Sequence, residues 1–403
     1  MATFALPVLE SPALPAARHR DLCTDCGVSR SSRADRCGHA CQFIHPRYDE
    51  LEHQVHGRSR GTDLDGSLFG VYRGMLRGRL APALDGAQWT GITTRIGERL
   101  LETGAVDAVL ATAADPEDRW RPRPVLVRDP AGMRETRGMK MGFSPVLALL
   151  DEVARLGLRR IAVIGIPCQV HALRALEAEL GLERLYVIGT PCSDNTTTER
   201  FHEFLARLTD HPERVTYCEF RPDFHVELRF ENGEERRVPF IQLPIADLPP
   251  DFLPLTCRSC YDYSNSLADL TVGYMAGQGD QWLVIRNARG EELVELLGRE
   301  LVSGPVSSRG SRSGAVRTFL GGLLRIADGL PVRRAPRWLK PVIAWAMPRF
   351  GPKGLEFARA RVEMKHLEGI VTLRRHRPRR VGRMVPPFAW QTAARYGLEG
   401  GSR

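Results

Sequence analysis

The chain has 403 residues, 43% hydrophobic and 26% charged, enough for two or three domains with sizeable cores. Its net charge of +9 (57 Lys and Arg against 48 Asp and Glu) brings nucleic acid to mind, but no nucleic-acid motif and little aromatic interleaving accompany the basic runs, so nucleic acid is set aside. No apolar stretch is long enough to span a bilayer, and the N-terminus lacks a basic region ahead of a long apolar core, so a cytoplasmic or membrane-peripheral protein is expected.

Residues 1–60 are rich in Pro and Cys and have little periodicity, as in a segment ordered by a metal centre rather than by its own core. Residues 61–157 alternate helix and strand signals. Ile92 to Glu102 reads as an amphipathic helix, Ala105 to Ala111 as a buried strand, Val125 to Arg128 as a short strand and Pro145 to Leu156 as a helix. Residues 158–310 open with a strand at Arg160 to Gly165, a helix at Gln169 to Leu180, a strand at Leu185 to Gly189 and a helix starting near Asp194 and Asn195. That β-α-β-α run predicts parallel strands. His225 to Phe230 and Arg236 to Phe240 flank Glu231-Asn232-Gly233-Glu234-Glu235 as a hairpin, and Asp269 to Tyr274 and Trp282 to Arg286 add two strands. Residues 311–403 read as a basic helical region, with charge at Arg333-Arg334, Arg374 to Arg377 and Arg379-Arg380. The expected class is α/β: a mixed sheet with parallel βαβ units flanked by helices, an N-terminal cysteine-rich segment and a basic helical C-terminal region.

Eight of the nine cysteines fall into two sets of four. In a reducing compartment such grouping points to metal ligands or catalytic thiols before disulfides. The compact set is Cys23, Cys26, Cys37 and Cys41, and on spacing alone it suits tetrahedral zinc or a 4Fe-4S cluster about equally. His39 and His45 lie near it and are read as surface residues. The dispersed set is Cys168, Cys192, Cys257 and Cys260. Cys168 and Cys192 each follow a Gly-x-Pro at the carboxyl end of a parallel strand, the edge where open α/β sheets bind ligands. Neighbouring strands there lie about 4.8 Å apart, so two such thiols joined by the Cys257/Cys260 pair can enclose one cluster; the plainer reading makes Cys168 and Cys192 small buried hydrophobes. Cys218 is assigned to the core. Ahead of a helix, Gly86 to Thr94 offers backbone donors to an anionic phosphate, or is simply a capped helix start. Gly273 to Gly279 is either a close cofactor approach or a flexible loop.

The segments Gly165-Ile166-Pro167-Cys168-Gln169, Gly189-Thr190-Pro191-Cys192, Cys257-x-x-Cys260 and Asp269-Leu270-Thr271-Val272-Gly273 resemble the family of deazaflavin-dependent hydrogenase/dehydrogenase beta subunits. The N-terminal cysteine set, the Gly86 to Thr94 loop and the tail around Phe357 to Met364 are similar to one branch of it. That branch contains the ferredoxin-dependent 3,8-divinyl (proto)chlorophyllide 8-vinyl reductases of the BciB type and the plant 7-hydroxymethyl chlorophyll a reductases. The resemblance implies two 4Fe-4S clusters on the eight cysteines and one FAD in the 61–157 region, contacted by Gln88, Thr90, Thr93, Thr94 and Asn195. It implies reduction of the 8-vinyl group of a divinyl chlorophyllide to ethyl in (bacterio)chlorophyll biosynthesis, with ferredoxin as donor and electrons passing through the clusters to FAD. The alternatives are 7-hydroxymethyl chlorophyll a reduction, a beta subunit that oxidises or reduces a deazaflavin within a larger complex, and, from a different class, a zinc-bearing module whose basic tail grips nucleic acid. A basic surface suits an acidic ferredoxin and the propionate of a chlorophyllide-type tetrapyrrole. Contact with a photosynthetic membrane and a homo-oligomer are both compatible with this reading. Tyr48, His45 and Lys140 are each chemically able to donate the proton.

Overall fold

The structure is a computed structural model that describes residues 22–221, 223–244, 247–249, 251–274, 280–325, 336 and 338–398. The extreme N-terminus, Met275 to Gly279 of the glycine-rich loop and Arg333-Arg334 lie outside the described residues.

In chain order the strands are β1 (Gly74–Leu80), β2 (Ala108–Ala114), β3 (Pro122–Val127), β4 (Arg160–Gly165), β5 (Arg184–Gly189), β6 (Val215–Phe220), β7 (His225–Phe230), β8 (Glu235–Pro239), β9 (Leu270–Tyr274), β10 (Gln281–Ile285), β11 (Leu301–Pro305), β12 (Ser308–Arg309) and β13 (Lys353–Gly354). The helices are α1 (Cys37–Ala40), α2 (Tyr48–His56), α3 (Leu64–Phe69), α4 (Ile92–Glu102), α5 (Leu150–Arg155), α6 (Pro167–Leu176), α7 (Thr198–Ala206), α8 (Leu255–Arg258), α9 (Ala288–Glu295), α10 (Ser313–Arg325), α11 (Leu339–Phe350), α12 (Leu355–His376), α13 (Val381–Met384) and α14 (Pro387–Ala394).

One 8-stranded mixed sheet runs β11-β1-β10-β9-β5-β4-β2-β3. The pairs β2/β4, β4/β5 and β5/β9 are parallel, and the flanking pairs are antiparallel. The parallel strands are near-continuous apolar runs because helices cover both faces. Their pleat sends Leu110, Ile161, Val163, Leu185 and Val187 to one core and Val109, Ala162, Tyr186 and Ile188 to the other. The second core lies under α4 and α9. The first is shared by α6, by Leu22, Val28 and Phe43 of the N-terminal segment, and by Leu367, Ile370 and Phe388 of α12 and α14. The basic C-terminal region therefore contributes a long buried helix to the same core as the compact cysteine set.

A separate antiparallel sheet, β6-β7-β8, contains the expected hairpin, and Gly233 takes the positive φ of 84° that its tight turn requires. Its apolar face, with buried Cys218, packs on Phe201 and Phe204 of α7. The helix expected to start at Asp194 or Asn195 starts at Thr198 instead. The Thr197 side chain caps it by accepting from the Arg200 amide. Asn195 and Asp194 hold other partners, described below.

Candidate functional site

The register of the parallel strands assembles the dispersed cysteines. Gly165 of β4 pairs with Gly189 of β5, so each Gly-x-Pro-Cys leaves the sheet at the same level. Pro167 occupies the first turn of α6, where its missing amide hydrogen costs nothing, and Cys168 follows it. Gln169 ties this turn down: its Oε1 accepts from the Ile166 amide at 3.0 Å and its Nε2 donates to Ser144 O at 2.8 Å. The amide of Cys192 donates to Tyr263 O at 3.1 Å. Cys257 lies in the single turn of α8, Cys260 follows just past it with its amide donating to Cys257 O at 3.2 Å, and all four cysteines line one cavity.

Asn265, which the sequence reading missed, and Gly273, which it read as a cofactor approach or a flexible loop, hold these strand ends. Buried Asn265, in the left-handed region at φ 58°, donates through Nδ2 to Gly165 O at 2.8 Å and Thr190 O at 3.2 Å. Gly273 lets Pro191 dock on β9: a Cβ there would stand 2.3 Å from Pro191 Cγ. Gly273→Ala is therefore expected to push Pro191 and Cys192 aside at a cost of about 1–3 kcal/mol, read from urea unfolding. Wild-type stability in that variant would remove the proposed role.

The compact set is docked against the dispersed one. Gly27, at φ 110°, allows the loop after Cys26 to lie on the 145–148 segment, where a Cβ would meet Ala148 N at 2.4 Å. The Leu147 amide donates to Cys26 O at 3.0 Å. Two neighbours of compact-set cysteines reach across: Thr24 lines the same cavity as Cys168, and Gln42 Nε2 donates to Cys260 Sγ at 3.5 Å. Tyr48 in turn donates to Gln42 Oε1 at 2.9 Å. His171 of α6 fixes the other side, with Nδ1 donating to Ala40 O at 3.0 Å and Nε2 accepting from the Arg47 amide at 3.3 Å.

Burial pushes His171 down to about 4, so it is neutral at pH 7; burial likewise lowers His56 and His366 to about 3. The unfolded chain takes up these protons near pH 6.5. Below that pH the unfolded state binds more protons, so stability is lost as pH falls from about 6.5 toward 4. For His171 the shift corresponds to roughly 3 kcal/mol. Thermal melting followed between pH 7 and 4.5 should show this loss, with a shallower slope in His171→Gln. An equal slope would exclude His171 as a contributor.

Burial raises every cysteine of both sets above the ordinary thiol value, Cys168 and Cys41 to about 12 and Cys260 to about 11. Such thiols become thiolates only against a bound cation. Lys365 of α12 lies beside them with 2% exposure. Its ammonium donates to Cys257 O at 2.7 Å, Asp194 Oδ1 at 2.9 Å and Glu368 Oε2 at 3.1 Å. Burial alone would favour the neutral amine, but Asp194 and Glu368 outweigh it and keep the cation. Among the described residues, no three His, Cys, Asp or Glu side chains are gathered closely enough for a single metal ion. The four thiols that line one cavity, Cys168, Cys192, Cys257 and Cys260, are the kind of sulfur donors an iron–sulfur cluster takes. The buried hydroxyls of Thr256 and Tyr261, beside Cys257 and Cys260, also have no hydrogen-bond partner among the described residues.

The loop expected to face a flavin has positive φ at Gly86, Trp89 and Gly91 and leads into α4. The cap residue Gly91 has no side chain to cap that helix, and Gln281 Oε1 accepts from the Ile92 amide at 3.5 Å, so the amides of Thr93 and Thr94 are the first-turn donors to which a phosphate could bind. Thr90, however, is engaged within the fold: its hydroxyl accepts from Leu80 N at 3.0 Å and donates to Gln281 Oε1 at 2.9 Å. Gln88 is half-buried in the loop, while Thr93 and Thr94 belong to the first turn of α4. Asn195 stands apart from them on the cysteine cavity, where its Nδ2 donates to Gly142 O at 2.7 Å and its Oδ1 accepts from the Thr196 amide at 2.9 Å. The 136–143 segment links the two places, since Gly138 lies against Gly86 O and Phe143 lines the cavity. Within this segment Lys140 donates to the carbonyls of Thr136 and Arg137, each at 2.7 Å, and burial lowers it to about 8. Of the other groups able to give a proton, Tyr48 is buried and committed to Gln42, and His45 is exposed and stacked on His39.

Residues 75–151 match the N-terminal domain, and residues 158–302 the C-terminal domain, of the coenzyme F420 hydrogenase/dehydrogenase beta subunits. The chain belongs to this family, whose members among its relatives are oxidoreductases. Within it the chain lies on the branch of 7-hydroxymethyl chlorophyll a reductase. It is 37% identical to the chloroplastic protein of that name from Oryza sativa subsp. japonica, over 94% of this chain and 84% of the rice protein. It is also 38% identical, over 94% of each chain, to an uncharacterized protein of Nostoc sp.. One of the polypeptides of the F(420)H(2) dehydrogenase of Methanosarcina mazei is 28% identical over 54% of this chain and 60% of its own length. A chain of the F420-reducing [NiFe] hydrogenase complex from Methanosarcina barkeri shares the fold with a TM-score of 0.52, at 22% identity over 58% of this chain and 82% of that one.

Proposed function

We propose that the protein reduces a peripheral substituent of a chlorophyll-type tetrapyrrole, the 8-vinyl group of 3,8-divinyl (proto)chlorophyllide, to ethyl, with reduced ferredoxin as electron donor. The observation that carries this reading is the interlock of two four-cysteine sets through Thr24 and Gln42. Adjacent sites for one-electron carriers are what a donor of single electrons needs. Cys23, Cys26, Cys37 and Cys41 would hold one 4Fe-4S cluster and Cys168, Cys192, Cys257 and Cys260 another, while the Gly86 to Thr94 loop and the start of α4 would hold FAD. When bound, these groups supply one-electron transfer and hydride delivery, the chemistry that protein side chains lack.

The conversion of vinyl to ethyl takes up two electrons and two protons, so ferredoxin must react twice per turnover. The chain orients the cofactors through the strand-end and loop contacts, and Lys365 keeps a positive charge beside Cys257 and Cys260. Lys140, packed in the segment that lies against the Gly86 loop, holds a proton that is exchangeable near neutral pH. The second reading, favoured by the activity for which the rice relative is named, is reduction of a 7-hydroxymethyl group to methyl with release of water. The two substituents sit on adjacent carbons of one pyrrole ring.

Anaerobic purification tests the class. About eight iron atoms per chain, for two four-iron clusters, and extractable flavin are expected; zinc without flavin would end the proposal. The purified protein is then given reduced ferredoxin with each pigment. Loss of the divinyl pigment supports the 8-vinyl assignment, and turnover of the 7-hydroxymethyl pigment alone replaces it with the second reading.

A further inference from the structure

Among the described residues, six large apolar side chains are exposed, and four of them belong to α11 and its N-terminal flank: Trp338 (74%), Val342 (54%), Trp345 (54%) and Phe350 (71%). Trp338, Val342, Trp345 and Arg349 recur at helical spacing and form one outward stripe. The helix is fastened from its other side, where Met347 packs on Phe224 and Phe357. Aromatic and aliphatic groups therefore face solvent from a helix whose seat on the protein is already filled.

The charge carried by this stretch of sequence is of one sign. From Gly329 to Leu355 the sequence has six basic residues and no Asp or Glu. Arg349 lies over the Trp345 ring at 4.7 Å from its centroid, leaving a cation at the level of the indole. Exposed Trp and Phe flanked by cations, on a short helix without a carboxylate, is the chemistry of a bilayer interface, where the apolar face enters the headgroup boundary and the cations meet anionic lipid. No helix among the described residues is long and apolar enough to cross a membrane, so α11 would lie in the surface plane.

We propose that α11 seats the protein on the surface of an anionic lipid bilayer through Trp338, Val342, Trp345 and Phe350. This inference does not depend on the reaction assigned above. The single sign of charge along this stretch, beside exposed aromatic rings, favours an anionic lipid surface over a second copy of this chain, whose own α11 would bring like charge to the contact.

Purified protein is mixed with phosphatidylcholine vesicles containing about 30% phosphatidylglycerol, a composition chosen for the assay in line with the anionic-lipid requirement of such helices, and with vesicles of phosphatidylcholine alone. Flotation and tryptophan emission are recorded. The expected result is flotation with the anionic vesicles, a blue shift of the emission, and at least tenfold weaker binding for the triple variant Trp338→Ser/Trp345→Ser/Phe350→Ser. All three side chains are exposed, so the variant keeps its fold, which circular dichroism verifies. Absence of flotation with either vesicle, or equal flotation of the variant, overturns the proposal. So does a parent dimer that becomes monomeric in the variant without any vesicle binding, which would make α11 a face between two copies.

Discussion

Cys168→Ser is expected to reduce bound iron from about eight atoms per chain to about four, while Cys23→Ser removes the other four. Ferredoxin-driven turnover should fall at least ~100-fold in either variant, since even partners outside a metal's direct ligands are worth 10–100-fold. Cys168 is the more revealing position. It follows the proline that opens α6, and it lines one cavity with Thr24 of the compact loop and with Cys192, Cys257 and Cys260. Serine keeps the volume but is a far poorer iron ligand than thiolate. Flavin should remain extractable from both variants, because the Gly86 to Thr94 loop contains no cysteine. Cys218→Ser is the control: Cys218 is buried in the β6-β7-β8 core away from both sets, so its iron content should match the parent. Full ferredoxin-driven activity in Cys168→Ser or Cys23→Ser would contradict the electron path.

The parts of this site that were legible in the sequence are those governed by local pattern. The apolar runs Arg160 to Gly165 and Leu185 to Gly189 specify buried parallel strands, and identical Gly-x-Pro-Cys endings then bring two thiols to one edge. Ile92–Glu102 is the helix its periodicity predicts. What was not legible depends on contacts between segments far apart in the chain. Gln42 and Cys260 are 218 residues apart, and nothing near either announces the other. Thr197 replaced Asp194 and Asn195 as a helix cap because Lys365, 171 residues away from Asp194, had already engaged that carboxylate. Likewise β1 and β11 escaped notice, since Gly74, Gly78 and Gly304 dilute their β signal and only pairing with β10 and each other makes them strands. Composition makes the tail a basic helical region but does not show that α12 is mostly buried, which depends on pairs such as Glu363 with Arg312 at 2.9 Å and Arg359 with Asp65 at 2.7 Å, while Arg375 to Arg377 stay exposed.

Asp269→Ala is expected to destabilise the protein by about 3–5 kcal/mol, the cost of removing one partner from a buried ion pair. Asp269 opens the Asp-Leu-Thr-Val-Gly segment and is fully buried. Its Oδ1 accepts from Asn287 Nδ2 at 2.7 Å, Arg174 Nη2 at 2.8 Å and Arg289 Nε at 2.9 Å, and its Oδ2 accepts from the Val187 amide at 2.7 Å. One carboxylate thus joins β5, α6 and α9 at the start of β9, directly behind the strand ends that carry the cysteines. All four partners are donors, and a carboxylate is the only side chain of this size that accepts at both ends. Asp269→Asn must therefore turn an amide hydrogen toward a donor and should lose nearly as much as alanine. Burial by itself would raise this carboxyl, but Arg174 and Arg289 hold it below the ordinary carboxylate range. Its contribution is fully present above about pH 4 and disappears as pH falls below that value. The deficit of both variants should consequently be flat from about pH 8 to 5, in contrast to the histidine-driven slope. A fall of about 10 °C in apparent Tm is expected, and a variant melting within about 1 °C of the parent would show that the arginines find equivalent partners once the carboxylate is gone.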